Sequence, residues 1–133
     1  MSAAFAIRRS WVAGVLLALL AATLGAQQAD TPVPRVVRVT AERFAFTPSE
    51  VKVAPGTSIE FRLKSEDTSH GFRIIGQSVD IAIPKRGRGE LVVPFEATEP
   101  GDYVFECSRM CGAGHSFMRG VIRVRADGGK ESR

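Results

Sequence analysis

Thr57 to Lys64 reads TSIEFRLK. Ile59, Phe61 and Leu63 fall on one face and Ser58, Glu60, Arg62 and Lys64 on the other, a period of two that marks a half-buried strand. Gly120 to Ala126 (GVIRVRA) repeats the pattern, with Ile122 and Val124 against Arg123 and Arg125. Outward from these two, strands are expected at Val36–Thr40, Val51–Val53, Phe72–Ile75, Asp80–Ile83, Glu90–Phe95 and Asp102–Cys107. Ala54-Pro55-Gly56 and Glu99-Pro100-Gly101 punctuate them, Pro fixing φ and Gly supplying a positive one. Short strands at this spacing predict an all-β fold, an antiparallel sandwich or barrel, with no long helix in the body.

The apolar residues of this 133-residue chain are unevenly spread. Trp11 to Ala26 carries no charge, and the uncharged stretch from Ser10 to Ala29 follows directly on Arg8 and Arg9. Positive charge ahead of an apolar run is the layout of an export signal or a membrane anchor. The stretch lies between the length of a signal core and that of a membrane span, so both readings stand. A buried core helix is a poorer third, because such helices rarely lack a polar face. The first two place the body outside the cytoplasm, on the periplasmic side of the inner membrane, exported or anchored by residues 10–29. The expected organisation is a signal peptide or single transmembrane anchor over 1–29, one domain over 30–126 and a disordered tail over 127–133 (DGGKESR). Arg8 and Arg9 fall in a segment without acids, so the remaining 104 residues hold sixteen basic and fourteen acidic side chains, a net +2. That balance gives no argument for nucleic acid.

One segment departs from strand grammar. Cys107-Ser-Arg-Met-Cys111-Gly-Ala-Gly-His115-Ser-Phe-Met118 follows the expected strand GDYVFE and precedes the one that starts at Gly120. Four soft or borderline metal ligands lie within it, and its glycines let the backbone wrap a small centre. The body's other histidine is His70, in Thr68-Ser69-His70-Gly71-Phe72 at the end of a different strand. Two cysteines, two histidines and a methionine suit copper: thiolate and thioether are soft, imidazole binds copper well, and no carboxylate stands in the loop to suggest a hard cation. Zinc competes, although the usual paired spacing of its histidines is absent. A disulfide is the plain alternative outside the cytoplasm, although a bridge closing so short a loop adds little. Taken alone His70 reads as a turn or core histidine, and Met110 reads as a core filler. There is no Ser/His/Asp set, no phosphate-cradling glycine loop and no carboxylate pair, so no catalytic residue is expected.

The pattern C-x3-C-x3-H-x2-M, with a histidine 37 residues upstream in a Ser-His-Gly-Phe context, resembles the binuclear CuA domain of cytochrome c oxidase subunit II. The CuA domain of nitrous oxide reductase is similar. The likeness covers about residues 36–126 and extends to Phe46-Thr47-Pro48, to Val53-Ala54-Pro55-Gly56-Thr57, to Glu99-Pro100-Gly101-Asp102-Tyr103 and to the Cys111-Gly-Ala-Gly-His115 run. Within that family the chain is most similar to the short, single-anchor subunit II of ba3-type oxidases. The resemblance implies a Greek-key cupredoxin barrel or sandwich holding two copper ions bridged by Cys107 and Cys111. His70 and His115 would each bind one copper, Met118 would be a weak axial ligand, and the backbone carbonyl of Arg109 would supply the other axial contact. It further implies electron transfer from a cytochrome c or similar small donor to a terminal oxidase through its subunit I. A stand-alone periplasmic carrier, with CuA or a single copper, and a copper storage or delivery protein are the alternatives.

Subunit II chains of this family carry a tryptophan and tyrosine cluster at the electron entry point. Here the only Trp is Trp11 and the only Tyr is Tyr103, so entry is expected at an apolar lip formed by His115, Phe117 and Met118. Glu66-Asp67 and Glu96, Glu99 and Asp102 read as ordinary solvated turns, and Lys85-Arg86-Gly87-Arg88 as a solvated hairpin turn.

Overall fold

The computed structural model describes residues 33–127. The expected apolar helix of residues 1–29 lies outside them, as does nearly all of the expected tail. Among the described residues, nine strands form two packed sheets. They are β1 (Arg35–Glu42), β2 (Ala45–Thr47), β3 (Glu50–Val53), β4 (Thr57–Ser65), β5 (His70–Ile74), β6 (Asp80–Ile83), β7 (Leu91–Ala97), β8 (Gly101–Glu106) and β9 (Arg119–Val124). One sheet has the order β2-β1-β4-β7 and the other β3-β9-β8-β5-β6, an all-β Greek-key sandwich as expected.

The alternation in β4 places Ile59, Phe61 and Leu63 wholly inside, and β9 does the same with Ile122 and Val124. Between the sheets stand Phe46, Phe61, Phe72 and Phe105. Their rings meet at centroid distances of 5.2–5.8 Å, mostly tilted or edge-on, which suits their quadrupoles better than a flat stack. The turn at Ala54-Pro55-Gly56 forms as expected. Gly56 has φ +79°, and its N–H donates to the Ala97 carbonyl at 2.8 Å.

The sandwich is not purely antiparallel. β1 pairs with β4, and β3 with β9, in parallel. Both arise because the chain changes sheet across Pro48-Ser49, between β2 and β3, and returns at β4. β2 itself, three residues long, is too short to show a period. Pro94 lies in β7, which is an edge strand and so can spare an N–H. The Lys85-Arg86-Gly87-Arg88 turn does not join a hairpin, because β6 and β7 belong to different sheets.

These pairings gather four connections at one end: residues 43–44, 66–69, 84–90 and 107–118. Every candidate ligand sits in or beside one of them.

Candidate metal centre

His70 is the first residue of β5 and is fully buried. Cys107 is the first residue after β8, and the loop it opens closes at its base, where the Cys107 N–H donates to the Met118 carbonyl at 3.0 Å. Within the loop, a single 3-10 turn, His115–Phe117, sets His115 and Met118 on one side. Gly71 explains how the loop comes so near His70. A Cβ there would meet the Ser108 backbone nitrogen at 2.6 Å and the Arg109 nitrogen at 2.8 Å, so only a glycine lets the two chains touch. The same closeness lets the Gly71 N–H donate to Cys107 Sγ at 3.3 Å. On the other flank the Phe44 ring lies against Gly112 and Gly114, where added Cβ atoms would approach it to 2.9 and 2.3 Å.

The two sulfurs are 3.8 Å apart and both thiols are free, so no disulfide is present. His70 Nδ1 faces Cys107 Sγ at 3.9 Å and His115 Nδ1 faces Cys111 Sγ at 3.8 Å. Met118, wholly buried, brings its sulfur to 3.9 Å from Cys111 Sγ. The Arg109 carbonyl lies 3.1 Å from Cys107 Sγ while its side chain is exposed. His70, Cys107 and Cys111 place their ligand atoms within 4.8 Å of one another. These spacings fit metal. Two thiolates on one first-row ion, each at ~2.3 Å and near the tetrahedral angle, stand roughly 3.8 Å apart. A thioether in the set, with no carboxylate ligand, favours copper over zinc.

The structure thus brings together all six residues singled out from the sequence, and it corrects three expectations. Met110 does not fill core, being 81% exposed. Phe117 does form a lip, at 82% exposure, and His115 is half-buried, but Met118 lies beneath the surface. Asp67 is not a bystander in a solvated turn: its Oδ1 lies 2.7 Å from His70 Nε2. A carboxylate on the far nitrogen fixes the ring's orientation and leaves Nδ1 for a metal. Burial pushes the Asp67 carboxyl up, but hydrogen bonds from His70 and from the backbone N–H groups of Arg43 and Thr68 outweigh that and hold it at about 2. The signal available in the sequence was an acid three residues ahead of the histidine.

Arg43 is the other residue that sequence reasoning missed. Its backbone N–H donates to Asp67 Oδ2 at 3.0 Å and its Nε to the Cys111 carbonyl at 2.9 Å, so one residue ties the support of His70 to the backbone of Cys111. Burial, followed by the neighbouring Cys107 thiol, pushes the Cys111 thiol up to about 11. A metal entering the site at neutral pH therefore displaces its proton.

Known proteins resemble this chain in sequence and in fold. Two Thermus thermophilus proteins named cytochrome c oxidase subunit 2 are each 33% identical to it over 90 residues. That alignment takes in 67% of this chain, and it spans 64% of one relative and 52% of the other. Among solved structures, the periplasmic domain of cytochrome oxidase subunit II from Bradyrhizobium japonicum superposes with a TM-score of 0.64. It shares 22% identity, over 72% of this chain and 88% of that one. Auracyanin A, a blue copper protein from Chloroflexus aurantiacus, gives 0.57 at 16% identity, over 70% of this chain and all of that one. At such identities the two structures speak for the fold alone. The model of the cupredoxin-like domain matches residues 12–124, and the chain belongs to that family.

Proposed function

We propose that this chain is an electron-transfer protein with a binuclear CuA copper centre, working as subunit II of a terminal oxidase. Cys107 and Cys111 are the bridging thiolates, His70 and His115 the terminal imidazoles, and Met118 and the Arg109 carbonyl the two weak axial ligands. The observation that carries this is the paired sulfurs, 3.8 Å apart, each with an imidazole nitrogen facing it at under 4 Å. Bound copper would supply a one-electron redox couple shared between two ions.

The chain's own residues suit that role. His70 is locked by Asp67, Cys107 by the Gly71 N–H and Cys111 by Arg43, so little moves when the charge of the site changes. With six donors around so small a centre, no position is left open for a substrate, unlike a catalytic metal site. The electron donor is a cytochrome c or similar small carrier and the acceptor is an oxidase subunit I. The single domain, residues 30–126, stands on the periplasmic side, exported or held to the inner membrane by residues 10–29 of the signal or anchor segment ahead of it. These assignments follow from likeness to subunit II relatives, of which the chain spans about half to two thirds.

Reconstitution with copper tests the reading. A purple product whose EPR spectrum shows one electron shared over two copper nuclei is expected, and a blue product with a single-copper pattern would refute it.

A further inference from the structure

The metal end of the sandwich is unbalanced in charge. The turn over Lys85, Arg86 and Arg88 is pinned there, because the Arg86 N–H donates to the Asp67 carbonyl at 3.1 Å, and Asp67 holds His70. Lys85, Arg86, Arg88 and Arg109 are all exposed, and among the described residues none is in an ion pair. The acids of this end are nearly all engaged. Glu66 meets Lys64 at 2.5 Å, Asp80 accepts from the Ser108 hydroxyl at 2.6 Å, and Glu106 lies between Arg73 and Arg119. Glu42 alone is an unpaired carboxylate among the described residues there. The opposite end, made of residues 54–56, 75–79, 98–100 and 125–127, carries one basic residue among these, Arg125, which is paired with Asp102, and two acids, Glu99 and Asp127.

At this same end, in the 107–118 loop that carries Arg109, stand Met110 and Phe117, among the described residues the two most exposed large apolar side chains apart from Val33. Phe117 lies on the same 3-10 turn as the half-buried His115 and directly before Met118, so an apolar side chain is exposed beside the ligands. Exposed aromatic and methionine side chains beside arginines are the usual makings of a protein contact.

We infer that this end is the docking face for a soluble electron carrier whose own contact face is apolar and ringed by carboxylates. The assignment rests on the electron-transfer reading above and names the chemistry of the donor. Opposed charges steer such a partner and set its approach, while the apolar centre brings the two redox groups close. A membrane surface rich in anionic headgroups would match the charges equally, but it would cover Phe117 and close the way to His115.

The test uses the full-length, copper-loaded, reduced chain. An acidic and a basic c-type cytochrome are the probes, and amide chemical shifts and affinity are read at low and high salt. The acidic cytochrome is expected to bind at least about tenfold tighter at low salt, to lose that advantage at high salt, and to shift residues 85–88, 110–112 and 115–117. Combining Lys85→Glu, Arg86→Glu and Arg88→Glu should invert the preference. Phe117→Ser should weaken the acidic partner at every salt concentration. Equal or tighter binding of the basic cytochrome, or shifts confined to residues 75–79 and 98–100, would overturn the assignment. So would phosphatidylglycerol vesicles that shift the same amides and displace the acidic cytochrome. The copper spectrum of the same samples after re-oxidation separates the two ideas: a binuclear signal with the wrong charge preference removes only the docking face, a blue centre removes the binuclear reading, and a chain that holds no copper removes the electron-transfer reading beneath both.

Discussion

The two histidines of the site are held in opposite ways. His70 begins a strand, has no exposed surface, and is gripped from behind by Asp67. His115 sits on one 3-10 turn, half-buried, and its local support is a set of backbone bonds: His115 N–H to the Gly112 carbonyl, Phe117 N–H to Gly114 and Met118 N–H to His115. A cleft of about 220 Å³ bounded by Arg73, Glu106, Ser116 and Arg119 opens on the His115 side. The difference assigns each half a task. The His70 half is fixed by the core and sets the geometry of the centre. The His115 half reaches the surface, and in the electron-transfer role proposed above it is the side by which electrons would enter or leave.

The largest effect should come from changes that strike both halves together. Cys107→Ser and Cys111→Ser should each abolish the two-copper EPR pattern, since in the proposed centre either thiolate would serve both ions; an intact binuclear spectrum in either variant would refute the bridge. Asp67→Asn should strike the His70 half alone. Removing a carboxylate partner of a ligating histidine typically costs about 10–100-fold in metal affinity, which competition with a copper chelator would measure. Ser116→Ala on the other half should leave affinity unchanged, and equal losses in the two variants would erase the asymmetry. Gly71→Ala should lower the stability of the metal-free chain by about 1–3 kcal/mol, because the added methyl meets not only the Ser108 hydroxyl, which can turn aside, but also the Ser108 and Arg109 backbone nitrogens, which cannot. Its urea midpoint reports this, and an unchanged midpoint would mean that the loop does not rest on β5. The smallest change is expected of Met118→Leu, which should keep both coppers and shift the reduction potential. Loss of all copper would make Met118 a principal ligand instead of a weak one.

Much of this was legible in the sequence, for identifiable reasons. The buried faces of β4 and β9 follow from strict alternation, and four of the five candidate side-chain ligands lie in one short run whose composition has no other ready use. What stayed hidden depends on contacts distant in the chain. Arg43 is 68 residues from Cys111, whose carbonyl it binds, and nothing near Arg43 announces a metal. Asp67 was visible as an acid but not as a support, since its role appears only once β4 and β5 belong to different sheets and the turn between them folds over the site. Met110 reads as core by type, yet its place in the loop turns it outward. The parallel pairs were missed because alternation reveals which face of a strand is buried and not which neighbour it takes.

One of those pairs bears on the order in which the molecule is built. β3 is among the earliest strands, but its partner is β9, with Glu50 opposite Val121, and closing so long a loop is slow. In a chain made from its N-terminus, β3 waits as an open edge until the last strand arrives. That strand also draws in Met118 and shuts the base of the ligand loop at Cys107. The full set of candidate ligands is therefore assembled only once β9 has paired, so a metal ion that needs all of them must enter after the body of the sandwich has formed.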